Sequence, residues 1–202
     1  MSDAVVHLKI VLEYTEPAIW RRIEVLARTT LKDLHDVIQA AMGWQNAHLF
    51  LFHAGRQTVG GPGLTDLKGR DGERGIAAGR VRLDNLAARN IKRFQYVYDM
   101  GDSWDHDLRI EKVLPADPAV TYPRFIDGAG RCPPEDIGGL PGFYGFLDAL
   151  EDPENPEHEY LLEWHGGPFD PDALDEDQIR KRFARIADRQ KRKAGKPKSR
   201  SR

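Results

Sequence analysis

Asp99, Asp102, Asp105 and His106 crowd one short stretch, YDMGDSWDH, and a second acidic pair, Glu135 and Asp136, sits in CPPEDIGG. Oxygen-rich sets of this kind suit hard divalent cations such as Mg2+ or Mn2+. An ion held by two or three of them can activate water for hydrolysis, with His106 or His48 as a further ligand or proton shuttle. The spacing matches no established catalytic signature. A second account needs no chemistry: Asp99 and Asp102 satisfy backbone amides in a turn, Glu135 and Asp136 order a Pro/Gly loop, and His106 is a packed histidine on an apolar strand face. That plainer account is the default on the sequence alone, and it assigns no cofactor and no metal. The candidate pocket comprises Asp99, Asp102, Trp104, His106, Glu135, Asp136 and His48.

The residues that must position this set are the most patterned in the chain. Phe94, Tyr96 and Tyr98 share one parity, and Trp104, His106, Leu108 and Ile110 share one parity on the return, as in two half-buried strands. An even-numbered connection would set the aromatic face against Asp105 and Asp107. A loop of three residues or five brings the tyrosines onto the face of Trp104 and His106, so the apolar pattern selects the odd register. Alternation then turns Asp105, Asp107 and Arg109 to solvent. The Pro/Gly-constrained loop from Arg131 to Gly142 is expected to dock on this hairpin.

VVHLKIVLEY alternates as a strand with one wet face, Pro17 suits a turn, and IWRRIEVL resumes an extended pattern, so a first hairpin is expected. Thr30 and Asp33 form a capping box ahead of Leu31, Leu34, Ile38, Ala41 and Met42 at helical spacing, with Gly43 as the stop. HLFLFH is apolar on both parities and reads as a strand covered on both faces. Residues 54–80 are rich in glycine, lack aromatics and match no phosphate-binding spacing, so a flexible loop is expected there. A helical turn follows at Asp84 to Ala88. Residues 115–141 are irregular by composition. Helices are expected from Gly142 to Leu150, after Asn155 and Pro156 as N-cap and first residue, and after Asp175, with order fading near residue 190. Trp44, just after Gly43, is placed to contribute to a binding surface. The fold class is α+β with a mainly antiparallel sheet and C-terminal helices, one domain over residues 1–187 and a basic, disordered tail over 188–202.

The formal net charge of -2 conceals an asymmetry, because residues 180–202 hold 12 Lys/Arg and one acid while the rest of the chain is strongly acidic. Such a tail can contact nucleic acid through charge alone, with Arg189, Lys191, Arg192, Lys193, Lys196, Lys198 and Arg200 as the candidates, or simply offset its own acidic body. The single cysteine, Cys132, excludes an intrachain disulfide framework and fits a reducing, cytoplasmic compartment. No stretch approaches the ~18 apolar residues that would span a bilayer, so no membrane association is expected.

PAIWRRIEV, LKDLHDVIQAAMGW, HLFLF, YVYDMGDSWDHDLRIEK and CPPEDIGGLPGFYGFL occur in an order and spacing that resembles the plasmid pRiA4b ORF-3-like family, over nearly all of residues 5–185. The resemblance implies a passenger protein of plasmids and insertion elements without an assigned reaction. Two functions therefore stay open. One is a non-enzymatic binding or accessory protein serving a mobile element, with nucleic-acid contact through the tail. The other is a divalent-metal-dependent hydrolase built on the acidic cluster.

Overall fold

The structure, a computed structural model, describes residues 3–61, 63–64 and 74–194. The chain opens with β1 (Ala4–Leu12), β2 (Trp20–Leu26) and α1 (Leu31–Met42), followed by β3 (Phe50–Ala54), β4 (Gln57–Gly60), β5 (Ile76–Ala77) and α2 (Leu83–Ala88). The hairpin β6 (Arg93–Tyr98) and β7 (Trp104–Pro115) leads to β8 (Arg124–Ala129), α3 (Gly139–Glu151), α4 (His158–His165) and α5 (Glu176–Ala194). The strands form one sheet in the order β5-β4-β3-β6-β7-β1-β2-β8, antiparallel at every junction except β4/β5. The fold is α+β. No helix among the described residues is long and apolar enough to cross a membrane.

Parity set the central register as expected: Tyr98 faces Trp104, Tyr96 faces His106 and Phe94 faces Leu108 across a five-residue connection. These side chains join Val6, Leu8 and Ile10 of β1 and Leu31, Leu34 and Ile38 of α1 in one core. Thr30 caps α1 by accepting from the Asp33 N–H, and Gly43 ends it in the left-handed region at φ 94°. Helix α5 lies against α1 and β8 and adds Ile179, Phe183 and Ile186 to the core. The opposite sheet face carries charge instead, with Arg22 paired to Glu111 and Glu24 held between His7 and Arg124.

Several expectations are corrected. Asp107 does not face solvent; it is buried because the guanidinium groups of Arg93 and Arg109, each 2.5 Å away, close over it. HLFLFH is not covered on both faces: Phe50, Phe52 and Ala54 are buried, whereas Leu51 and His53 are only half-buried and Leu49 is exposed. Residues 54–80 are not one loop, since β4, β5 and a 3-10 turn at Ala78–Arg80 fall within them. Gly61 there serves packing, because a Cβ would stand 2.8 Å from the Phe50 ring. Residues 62 and 65–73, where the rest of that loop expectation falls, lie outside the described residues. The stretch 115–141 conceals β8, an outer strand that pairs only with β2 and buries little beyond Phe125. Helix α4 starts at His158 because Asn155 Oδ1 is already engaged by the Glu157 N–H in a turn. Residues 188–194 are not a disordered tail but the last turns of α5, where Arg189 reaches Asp36 at 2.6 Å and the basic residues complement the helix dipole.

Candidate metal centre and adjoining cleft

Three segments meet at the open end of the central hairpin. The first is the β6–β7 connection, which Asp99 shapes from a left-handed backbone at φ 54° by accepting the Gly101 N–H on Oδ1 at 2.9 Å. Its other oxygen, Oδ2, lies 3.5 Å from His48 Nε2. The second is the approach to β3, where the Asp99 N–H donates to Leu49 O at 3.0 Å and the Tyr98 hydroxyl accepts from Ala47 N at 3.0 Å. The third is the 131–142 loop, which docks on the hairpin as its rigidity suggested. Gly138 N donates to Asp102 Oδ2 at 3.2 Å, and Trp44 Nε1 donates to Pro133 O at 2.9 Å. Gly139 approaches so closely that a Cβ would lie 2.6 Å from Asp102 O.

Within this junction the two acids of the loop divide their roles. Glu135 accepts the Tyr98 O–H on one oxygen and Gln45 N, at 3.0 Å, on the other, so both oxygens serve the fold. Asp136, in the left-handed region at φ 62°, turns its largely exposed carboxylate to His48. His48 Nε2 lies 2.9 Å from Asp136 Oδ1 and 3.5 Å from Asp99 Oδ2. Neither contact is aligned as a hydrogen bond. One ligand atom from each of His48, Asp99 and Asp136 falls within 4.8 Å of the others. Asp102, Glu135, Trp104 and His106 stand outside this set. Asp102 pins the loop, Glu135 pins Tyr98, and Trp104 and His106 are buried beneath, with His106 Nδ1 donating to Trp104 O at 2.9 Å. Trp44 is not at the surface but buried, stacked on Tyr98 at 5.1 Å.

Asp136 also borders a cleft of about 760 Å³ between the loop, the end of α1, the end of α4 and the start of α5. Its walls mix apolar groups (Met42, Pro134, Leu174 and a partly exposed Trp164) with the guanidinium groups of Arg131 and Arg182. Below it Arg21, which sequence reading missed, is buried with all five N–H donors satisfied. Nε donates to Ala41 O, Nη1 to Trp20 O and Ala129 O, and Nη2 to Gly130 O and Cys132 Sγ. Cys132 is itself buried, which pushes its thiol pKa up and makes it a poor nucleophile.

A family described as Plasmid pRiA4b ORF-3-like protein matches residues 4–178. The chain belongs to that family. It is 40% identical over 196 residues to the uncharacterized protein y4hQ of Sinorhizobium fredii (strain NBRC 101917 / NGR234), covering 96% of this chain and 98% of that one. Its fold is similar to the crystal structure of a protein of unknown function, MM3350 from Methanosarcina mazei Go1, at a TM-score of 0.78 and 33% identity over 88% of this chain and 97% of that one. Both are described as proteins without an assigned activity.

Two buried histidines beneath the site give the fold a pH dependence. His35 donates from Nε2 to Asn46 Oδ1 and accepts the Tyr96 O–H on Nδ1, the tautomer assigned by its neighbours. Burial lowers the pKa of both His35 and His106 from 6.5 to about 4. The unfolded chain therefore binds protons in a window where the folded one does not. Stability from this source is fully present above pH 6.5, falls as the pH drops toward 4, and levels off below. Urea midpoints measured from pH 7 to 4 should decline throughout that window, and a flat profile contradicts the burial of neutral imidazoles.

Proposed function

We propose that the protein is a divalent-cation-dependent hydrolase, its ion held by His48 Nε2, Asp99 Oδ2 and Asp136 Oδ1 at the rim of the cleft. The observation that carries this reading is the convergence of three ligand atoms within 4.8 Å from segments far apart in sequence. Ligand distances of about 2.0–2.6 Å around a hard cation allow that separation. Two carboxylates and one imidazole suit Mn2+ as well as Mg2+, and three protein ligands leave positions for water and substrate. Such an ion would lower the pKa of a bound water and so supply a nucleophile, and His48, Asp99 and Asp136 would hold it.

The two loop acids separate this reading from a purely structural one. Asp136→Asn should leave the metal-free stability equal or higher, since it relieves repulsion with Asp99, and should abolish the rise in melting temperature that Mn2+ or Mg2+ gives the unaltered protein. Glu135→Gln should lower stability by ~1–3 kcal/mol, because it weakens a charged acceptor, and keep the metal response. Thermal melts of the three proteins with and without each ion decide the matter. No metal-dependent rise in the unaltered protein removes the hydrolase.

The basic end of α5 favours a second reading, an accessory role for a mobile element through nucleic-acid contact. Lys191, Arg192 and Lys193 are exposed on an ordered helix, while Lys196, Lys198 and Arg200 lie outside the described residues. Phosphate contacts of this kind weaken steeply with salt. A gel shift on duplex DNA should fade as salt rises and vanish on removal of residues 188–202; a shift unchanged by the truncation excludes this contact.

A further inference from the structure

Resting on the cation-dependent reading, we infer that the cleft takes a small organic phosphate whose phosphoryl group bridges the ion and the guanidinium groups of Arg131 and Arg182. The charge balance of the cleft is the ground for this. Arg131 lies over the Phe169 ring at 4.8 Å, and among the described residues no carboxylate pairs with it. Arg182 donates to a backbone oxygen, Trp44 O at 3.0 Å, and likewise has no acidic partner. The carboxylates that share the cleft have other neighbours: Glu135 serves Tyr98 and Gln45, Asp175 Oδ1 accepts the Gln178 N–H that opens α5, and Asp136 stands beside His48 in the proposed cation site.

A chain whose body is strongly acidic thus presents, inside a cleft of about 760 Å³, two guanidinium groups that have no carboxylate partner among the described residues. Planar N–H forks match phosphoryl oxygens, and a hard cation beside them takes a further phosphate oxygen in place of water. The apolar walls at Met42, Pro134, Leu174 and Trp164 fit the organic part, and the volume is that of a small-molecule site. Hydrolysis there forms a P–O bond from water, breaks the P–O bond to the organic group, and passes the water's proton to the departing oxygen. Nothing else is consumed.

Calorimetric titration of the full chain tests this in two steps, first with Mg2+ alone and then with inorganic phosphate at saturating Mg2+. Phosphate should bind more weakly without the ion. Arg131→Gln and Arg182→Gln should each weaken phosphate binding by about tenfold or more while leaving Mg2+ affinity unchanged, which also shows that the variants are folded. Mg2+ binding without phosphate binding, or phosphate binding unaffected by both substitutions, overturns the ligand class and leaves the cation site standing. Absence of Mg2+ binding overturns the cation site itself. Phosphate affinity that is equal with and without Mg2+ overturns the bridging.

Discussion

Replacing Arg21 with lysine should lower the unfolding free energy by ~3–5 kcal/mol, the range seen when a buried, fully engaged charge loses its partners. The side chain is 2% exposed and pairs with no carboxylate among the described residues; its charge is dispersed over four backbone carbonyls and a sulfur. Lysine brings three rotatable donors in place of a planar fork of five, so at least one buried carbonyl is left unpaired and the ammonium has no matching geometry. The carbonyls belong to the end of α1, to β2, and to the end of β8 and the residue after it, so the loss reaches three segments beneath the cleft. Urea denaturation reads the effect as a lower midpoint at constant slope. A loss below about 1 kcal/mol would mean that the network is dispensable.

Truncation of Trp104 to alanine should cost ~3–5 kcal/mol as well, through a different cause. The indole is 1% exposed and packs near Trp44, whose ring lies 6.0 Å away, and opposite Tyr98 in the register. Its removal leaves a void beneath the β6–β7 connection and withdraws support from Asp99 and from the docked loop. The indole Nε1 is buried without a partner, so Trp104→Phe, which deletes that polar atom along with some volume, should cost much less. A denaturation midpoint that does not move for the alanine variant contradicts the burial.

The contrast between these two positions shows what the sequence could reveal. Trp104 was legible because strand pairing has a period of two, and Tyr96, Tyr98, Trp104 and His106 can share a face in only one kind of register. Arg21 was not. Its partners are main-chain carbonyls, which no residue type advertises, and WRRIEV reads as an ordinary strand with a charged face. Asp107 misled for a related reason: alternation predicts which way a side chain points, not whether flanking arginines fold over it. Strand β8 escaped because an outer strand with one buried side chain carries almost no alternation. At the candidate centre, the acids of the hairpin connection and of the loop could be selected by type. Choosing Asp136 over Glu135, and His48 over His106, required knowing which atoms were already engaged by backbone amides, a hydroxyl or a carbonyl.

The position of β1 between β2 and β7 has a consequence for synthesis on the ribosome. The β1–β2 hairpin can close as soon as both strands emerge, but the other side of β1 waits for β7, which begins only at Trp104. At roughly 5–20 residues per second, a row of unpaired amide and carbonyl groups next to Val6, Leu8 and Ile10 stays open for several seconds or longer. During that interval the nascent chain presents a pairing template to any neighbouring chain. The middle of the finished sheet is therefore the most aggregation-exposed edge of the unfinished one, and partial chains that stop before β7 keep that edge permanently.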